Sequence, residues 1–130
     1  MLIKMINHIT INVKNLEDSL KFYRDILGLE QLDIVNMGDH ELIYFALPGG
    51  TRLELITYFG TNQDINTNPS DGGIFRHIAF EVDDVRDVEK WMLENAIEVT
   101  LSITRVPKLG VYAILVKDPN GVELEFIQKF

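Results

Sequence analysis

The chain contains one turn-and-strand pattern twice, and the second copy reads Pro119-Asn120-Gly121-Val122-Glu123-Leu124-Glu125-Phe126-Ile127. The first copy lies seventy-one residues earlier and reads Pro48-Gly49-Gly50-Thr51-Arg52-Leu53-Glu54-Leu55-Ile56. Both copies contain a proline, a turn glycine, and the same Leu, Glu and Ile at matched places. The repeat therefore sets Glu54 against Glu125 and leaves Glu123 at the place of Arg52.

A second repeated pattern opens each half of the chain. His8-Ile9-Thr10-Ile11-Asn12-Val13 is matched, sixty-nine residues later, by His77-Ile78-Ala79-Phe80-Glu81-Val82. Each half thus carries one histidine and one glutamate at matched positions. A chain of 130 residues has the size of one compact domain, so we interpret the repeat as two modules that share one fold.

Composition and charge exclude several classes of partner. The net charge of −8 offers no basic surface for nucleic acid or anionic lipid. No apolar run approaches the length of a membrane span, and the N-terminal residues do not follow the pattern of a signal peptide. Because the chain has no cysteine, a metal ion would have to be bound by His, Asp or Glu. We therefore expect a cytoplasmic protein without nucleic-acid or membrane partners.

Alternating and helical patterns predict the order βαβββ in each module, and hence an α+β fold. Asn15 and Asp84 are predicted helix caps, and Gly28 is predicted to end the first helix. Module one spans about 3–59, a linker rich in polar residues, Pro and Gly spans 60–73, and module two spans about 74–130. Strands are predicted over 6–13, 29–35, 42–47, 52–58, 78–82, 98–103, 111–116 and 122–128, with a long inner loop at 104–110 that could move over a site.

The period of two along a strand assigns the matched residues to one face of each sheet. In the first strand of each module, the histidine lies on the side opposite a row of Ile, Val and Phe residues. In the last strand, Glu54 and Glu125 likewise lie opposite their apolar neighbours. We expect the apolar rows to pack on the helices, so that the other sheet face carries the histidine and the glutamate.

Two curved sheets placed face to face would gather His8, Glu54, His77 and Glu125 into one set of metal donors. Two imidazoles and two carboxylates suit a divalent ion such as Ni, Co, Zn, Fe or Mn, with positions left for water or substrate. A histidine at the start of a strand is also commonly a polar residue at a sheet edge, and a glutamate between apolar residues is commonly a solvated one. Core packing does not require either residue type, so their retention in both copies favours the metal site.

Seven short motifs, spread over nearly the whole chain, together resemble one family. They are Asn7-His8-Ile9, Ser19-Leu20-Lys21-Phe22-Tyr23, Leu27-Gly28-Leu29, Leu53-Glu54-Leu55, Arg76-His77-Ile78-Ala79-Phe80, Val82-Asp83-Asp84 and Asp118-Pro119-Asn120-Gly121. On these motifs the chain resembles the vicinal oxygen chelate superfamily, which includes glyoxalase I, bleomycin-resistance proteins, fosfomycin-resistance thiol transferases, extradiol dioxygenases and methylmalonyl-CoA epimerase. The resemblance implies the glyoxalase/dioxygenase-type fold, in which two βαβββ modules form a cleft or half-barrel.

The resemblance also implies an activity, because the branches of the family differ in their metal ligands. Glyoxalase I uses His, Glu, His and Glu, which resemble His8, Glu54, His77 and Glu125; epimerases usually have Gln at the second position. The closest branch is therefore a glyoxalase I-like lyase with Ni, Co or Zn as its metal. That branch moves a proton through an enediolate, and Glu125 and Glu54 are the residues implied as catalytic bases.

Two departures from the bacterial glyoxalase pattern concern the substrate. Asn12 stands where glutathione-dependent glyoxalases have Arg, and Tyr58 stands where they commonly have Asn. The implied substrate is a small hydroxycarbonyl compound or a hemithioacetal whose thiol need not be glutathione. The family also implies a homodimer, in which His8 and Glu54 of one subunit would face the other module of its partner.

Two other functional classes stay open from the sequence. One is a metal-free binding protein of the bleomycin-resistance type, which predicts an acidic groove lined by aromatic residues such as Tyr44, Tyr58 and Tyr112. The other is a different metal-assisted reaction on the same scaffold, either ring cleavage by a dioxygenase or thiol transfer. Thiol transferases and dioxygenases rely on two His and one Glu, so a second glutamate ligand argues against them.

Overall fold

A computed structural model of the chain describes residue 1 and residues 4–59 and 76–130. The chain divides into two compact units, Met1–Ile65 and Asn66–Phe130. The predicted linker, 60–73, lies outside the described residues, so its boundaries stay a prediction.

Unit one has the predicted order of elements, which confirms its βαβββ plan. Strand β4 occupies the inside of the sheet between β1 and β3, parallel to β1 and antiparallel to β3, and β2 forms the edge next to β3. The elements are β1 (His8–Asn12), helix α1 (Leu16–Leu20), which continues as a π-helical segment (Lys21–Ile26), β2 (Gln31–Asn36), β3 (His40–Ala46), a 3-10 turn (Pro48–Gly50) and β4 (Arg52–Tyr58).

Local chemistry explains where the elements of unit one begin and end. The side chain of Asn15 accepts a hydrogen bond from the backbone N–H of Asp18 at 3.1 Å, which confirms the predicted helix cap. Gly28 follows the helix at a φ of +71°, a value that glycine adopts without steric cost. The hairpin between β2 and β3 is tighter than predicted, because the backbone N–H of Met37 bonds to the carbonyl of His40 at 2.8 Å.

The core of unit one lies between the helix and one face of the sheet. Tyr23 and Phe22 are fully buried, and the ring of Tyr23 lies 6.4 Å from that of Phe45 on β3. Leu53 and Leu55 pair with Phe45 and Ile43, respectively, and belong to the same buried face. The prediction that the apolar rows face the helix is therefore confirmed in this unit, and the residues between them face the other way.

Unit two repeats the plan, with sheet order β5-β8-β7-β6. Asp84 caps its helix by accepting a hydrogen bond from the backbone N–H of Arg86 at 2.9 Å. None of the helices in the described part of the chain is long and apolar enough to cross a membrane. The elements are β5 (Ile78–Glu81), helix α2 (Val85–Glu94), β6 (Val99–Val106), β7 (Val111–Lys117) and β8 (Glu123–Lys129).

The prediction of a long inner loop at 104–110 was wrong for the first half of that segment. Strand β6 continues through Thr104 and Arg105, which pair with Ala113 and Tyr112 on β7. The remaining turn, 107–110, is closed by hydrogen bonds from the backbone N–H groups of Leu109 and Gly110, at 3.0 Å and 3.2 Å. The segment that could act as a lid is thus reduced to a short hydrogen-bonded hairpin turn.

Candidate functional site

A buried aspartate organises the turn that leads into β8. Oδ1 of Asp118 accepts hydrogen bonds from the backbone N–H groups of Asn120, at 2.8 Å, and Val122, at 2.7 Å. The side-chain amide of Asn120 donates to Oδ2 of Asp118 at 3.0 Å, and Gly121 adopts a φ of +89°. The Asp-Pro-Asn-Gly motif therefore fixes where β8 starts and, with it, the positions of Glu123 and Glu125.

In both units the first strand pairs in parallel with the last strand, so the matched residues of the repeat take equivalent places in the two sheets. Thr10 on β1 lies opposite Glu54 on β4, and Ala79 on β5 lies opposite Glu125 on β8. In both units the histidine stands two residues before the partner of the glutamate. Because side chains two residues apart share one face of a strand, each histidine lies on the same sheet face as its glutamate.

In unit one the two candidate donors are close but do not bond to each other. Nε2 of His8 lies 3.9 Å from Oε2 of Glu54. Nδ1 of His8 lies 2.8 Å from the side-chain oxygen of Asn7, which only accepts hydrogen bonds. The proton of the neutral imidazole is therefore on Nδ1, and Nε2 presents a lone pair beside a carboxylate, as a shared cation requires.

In unit two the matched pair is closer and protonated differently. Nε2 of His77 lies 2.8 Å from Oε2 of Glu125, a hydrogen-bond distance that assigns the imidazole proton to Nε2. Within the described residues, Nδ1 of His77 is buried and has no hydrogen-bond partner. Arg76 occupies the place of Asn7 but has no acceptor to offer, and its Nη1 instead donates to Glu123 at 2.6 Å.

The separation within each pair can be compared with what a shared divalent ion requires. Two ligands that each lie about 2.1 Å from one ion are at most about 4.2 Å apart. Both separations, 3.9 Å and 2.8 Å, lie below this limit, and imidazole with carboxylate is a donor set that Ni, Co and Zn accept. A metal ion held by His77 and Glu125 would have to replace the hydrogen bond between them, because Nε2 of His77 must then give up its proton. Within either unit, the described residues bring no third His, Asp or Glu to the pair. Each unit therefore presents one histidine and one glutamate side by side, and the predicted set of four metal ligands stays a proposal.

The two glutamates differ in the side chains that flank them. The hydroxyl of Thr10 donates to Oε1 of Glu54 at 3.2 Å. Tyr44 lies opposite Glu54 on β3, and hydrogen bonding to the Glu54 carboxylate, followed by loss of hydration and by the charge of Glu54, raises the pKa of the Tyr44 phenol. Ala79 and Leu115 take the corresponding places beside Glu125 and offer no hydroxyl group.

Tyr44 is a member of the site that the sequence reasoning missed, because it was considered only as a possible groove residue. The guanidinium carbon of Arg52 lies 4.2 Å from the centre of its ring, and the ring of His8 meets it edge-on at 6.5 Å. A signal was present in the sequence. Tyr44 and Glu54 are both five residues from Gly49, the centre of the hairpin turn, so they had to pair.

Of the other two tyrosines considered for an aromatic groove, only Tyr58 shares the sheet face of its glutamate, which weakens the groove that a metal-free binder requires. Tyr112 pairs with Gln128 and so lies on the sheet face opposite Glu125. In keeping with that face, Tyr112 lines a small hollow beside Val85 at the start of α2. Tyr58 is at the end of β4, where its ring contacts that of His40 at 5.1 Å.

Comparison with known proteins identifies the family. The sequence model of the Glyoxalase/Bleomycin resistance protein/Dioxygenase superfamily matches residues 5–126. The chain belongs to this superfamily. A solved structure described as a glyoxalase family protein from Enterococcus faecalis superposes with a TM-score of 0.83 at 25% identity, covering 98% of this chain and 99% of that one. The predicted α+β fold with two βαβββ modules is thus confirmed as a glyoxalase-type fold.

Relatives within the glyoxalase superfamily carry different activities in their names. The chain is 32% identical to the mitochondrial methylmalonyl-CoA epimerase of Dictyostelium discoideum, over 95% of this chain and 78% of that protein. It is 37% identical to the metallothiol transferase FosB of Staphylococcus haemolyticus, over 75% of this chain and 65% of that protein. The superfamily prediction is confirmed, whereas neither relative bears the name glyoxalase I, so that branch of the prediction stays a proposal.

Proposed function

We propose that the protein is a metal-dependent isomerase or lyase that moves a proton at the carbon beside a carbonyl group. Its substrate would be a small hydroxycarbonyl compound or a hemithioacetal, as in a glyoxalase I-like reaction, with a thiol other than glutathione permitted by Asn12 and Tyr58. The observation that carries the proposal is the His–Glu pair, which recurs at the same sheet position in both units and at distances that one cation can bridge.

The metal ligands in this proposal are His8 and Glu54 from one unit and His77 and Glu125 from the other. Ni, Co or Zn suits two imidazoles and two carboxylates. A divalent ion held by these residues would supply a Lewis acid for negative charge on a substrate oxygen. A homodimer belongs to the same proposal, with the four ligands drawn either from one chain or from two.

Proton transfer is assigned to Glu125, with Glu54 as the second candidate base. Glu125 is the more accessible carboxylate, with 20% of its side chain exposed against 8% for Glu54. Ala79 and Leu115 beside it donate no hydrogen bonds, and the hydrogen bond that Glu125 accepts comes from Nε2 of His77 at 2.8 Å. Glu125 therefore takes the proton from one carbon of the substrate and returns it to the adjacent carbon.

An epimerase is the second candidate function, and the 32% identity to methylmalonyl-CoA epimerase favours it. Epimerisation begins with the same removal of a proton beside a carbonyl but returns the proton to the same carbon. In deuterated water, an epimerase would exchange that hydrogen and racemise its substrate. A glyoxalase-type lyase would instead give a product in which the carbonyl and the hydroxyl carbon have changed places.

The proposal can be tested by removing and restoring the metal. The purified protein would be treated with a chelator and then supplied with Ni, Co, Zn or Mn. Each form would be assayed with methylglyoxal and several thiols, and with methylmalonyl-CoA. We expect stoichiometric metal uptake and a metal-dependent turnover of one of these substrates. Failure to take up any of these metals would reject the proposal and favour a metal-free binding protein, while transfer of a thiol to an epoxide would favour a thiol transferase.

A further inference from the structure

The repeat makes Glu54 and Glu125 equivalent in sequence, but the sheets give them unequal neighbours. Glu54 lies between a strand that presents Thr10 and a strand that presents Tyr44. Glu125 lies between Ala79 and Leu115 at the same two places. The difference between the surroundings of the two glutamates therefore comes from residues on the two adjacent strands, and not from the strand that carries the glutamate.

Thr10 donates a hydrogen bond to a carboxylate that has little access to water, and Tyr44 lies beside the same carboxylate on the other neighbouring strand. Only 8% of the Glu54 side chain is exposed, and a buried carboxylate needs hydrogen-bond donors to remain charged. Thr10 bonds to Oε1 at 3.2 Å, while Oε2 is the oxygen that faces Nε2 of His8 at 3.9 Å. One oxygen is thus restrained by the protein, and the other is turned toward the candidate metal position.

Tyr44 is itself held in place, so its side chain has a fixed position beside Glu54. Arg52 covers one face of its ring with the guanidinium carbon at 4.2 Å from the centre, and His8 meets the ring edge-on. Nη2 of Arg52 also donates to the side chain of Asn7 at 3.3 Å, and Asn7 in turn orients His8. Glu54 and His8 are therefore oriented by one connected group of side chains.

From this geometry we propose that Tyr44 and Thr10 are positioning residues that hold the Glu54 carboxylate toward the metal, so that Glu54 remains a ligand while Glu125 moves. The inference rests on the proposed function, because it assigns unequal roles to the two glutamates of that site. Partners of this kind, which orient a metal ligand, commonly change metal affinity or activity by about 10- to 100-fold when they are removed.

The test uses Tyr44→Phe and Thr10→Val, which remove the hydroxyl groups and keep the shapes of the side chains. Tyr112→Phe is the matched control, because Tyr112 lies on the opposite sheet face of unit two. Dissociation constants for Zn and Co would be measured by competition with a chelator. We expect about tenfold weaker binding for each variant, a greater loss for the double variant, and no change for the control.

A second measurement needs no metal. In the presence of chelator, urea unfolding of the wild type, Tyr44→Phe, Glu54→Gln and the double variant forms a double-mutant cycle. A hydrogen bond between the two residues should make the effects non-additive, by about a factor of ten in the unfolding equilibrium constant.

The outcomes separate this inference from the proposed function. If the wild-type protein binds no metal, the proposed function fails and the inference falls with it. If the wild type binds metal and Tyr44→Phe binds it equally well, only the inference is overturned, and coupling in the cycle would then make Tyr44 a residue for stability alone. Weaker metal binding together with coupling to Glu54 would support the inference.

Discussion

Asn7 and Arg76 occupy the same position of the repeat, directly before His8 and His77, but only Asn7 can accept a hydrogen bond from its histidine. The result is that the two imidazoles carry their protons on different nitrogens. Nε2 is a free lone pair in His8 and a donor to Glu125 in His77. The two matched histidines therefore differ in which ring nitrogen carries the proton before any metal binds.

This difference predicts distinct nitrogen signals for the two histidines in the metal-free protein. Nitrogen-15 spectra at neutral pH should show His8 protonated on Nδ1 and His77 protonated on Nε2. Addition of Zn should shift the Nε2 signal of both residues, because both are proposed as ligands through that atom. Identical tautomers for the two residues would contradict the assignment.

Glu125→Gln should keep the fold and reduce turnover by about 10²-fold or more, which is the usual contribution of a general acid–base group. Glu54→Gln should act mainly on metal affinity, because Glu54 is proposed to stay bound throughout the reaction. Glu94→Gln on the exposed side of α2 is the control for loss of one negative charge. Unchanged turnover in Glu125→Gln would remove Glu125 from the mechanism.

Ala79→Thr would give Glu125 the neighbour that Glu54 already has. Ala79 is exposed, so the larger side chain can be accommodated. A hydroxyl group that donates to Glu125 stabilises its charged form, so we expect turnover to fall by about tenfold with little change in unfolding. Thr10→Ala changes a neighbour of Glu54 and not of Glu125, so it should not slow the proton-transfer step in the same way. Equal turnover in wild type and Ala79→Thr would show that the neighbours of Glu125 do not control it.

The cap of α2 should make stability depend on pH in the acid range. Hydrogen bonds from the side chain and the backbone of Arg86 lower the pKa of Asp84 below its ordinary value. Because the folded-state pKa is the lower one, the cap stabilises the fold above the unfolded-state pKa of about 4 and loses this contribution as the pH falls through the folded-state value. Asp84→Asn keeps a capping side chain without the charge.

Urea unfolding of wild type and Asp84→Asn at a series of pH values would measure this contribution. The advantage of the wild type should shrink as the pH is lowered from about 5 to values below the ordinary aspartate pKa of about 4. A constant difference over that range would mean that Asp84 does not titrate as the hydrogen bonds require.

The pair of Arg76 and Glu123 should contribute to stability rather than to catalysis. Only 7% of the Glu123 side chain is exposed, whereas 54% of Arg76 is. Arg76→Met leaves a buried carboxylate without its donor and should lower the free energy of unfolding by about 1–3 kcal/mol. Adding Glu123→Gln should restore part of this loss, since the unpaired charge is then gone. A loss of turnover larger than the loss of folded protein would assign the pair to the site instead.

Several features of the fold and of the candidate site could be predicted because they depend only on short segments of the sequence. The duplication favours Glu125 over Glu123 as the match of Glu54, although both lie on one face of β8; the structure pairs Glu123 with Arg76, and the metal site itself stays a prediction. The caps at Asn15 and Asp84 were also predicted, because a cap depends on residues within one helical turn.

The errors concern features that depend on pairing between strands. The loop predicted at 104–110 was too long, because Thr104 and Arg105 become strand residues only through their partners on β7. Tyr112 was counted with Tyr44 as a possible groove residue, but the register of β7 with β8 places it on the other face.

Periodicity and duplication were therefore sufficient to predict two βαβββ modules and the four matched residues His8, Glu54, His77 and Glu125. Both signals are local, since alternation and turn residues act within a few positions of each other. The unequal surroundings of the two glutamates were decided by tertiary structure. Which hydroxyl group or methyl group lies beside a carboxylate depends on the register between β1 and β4, or β5 and β8, and these strands stand at opposite ends of each module.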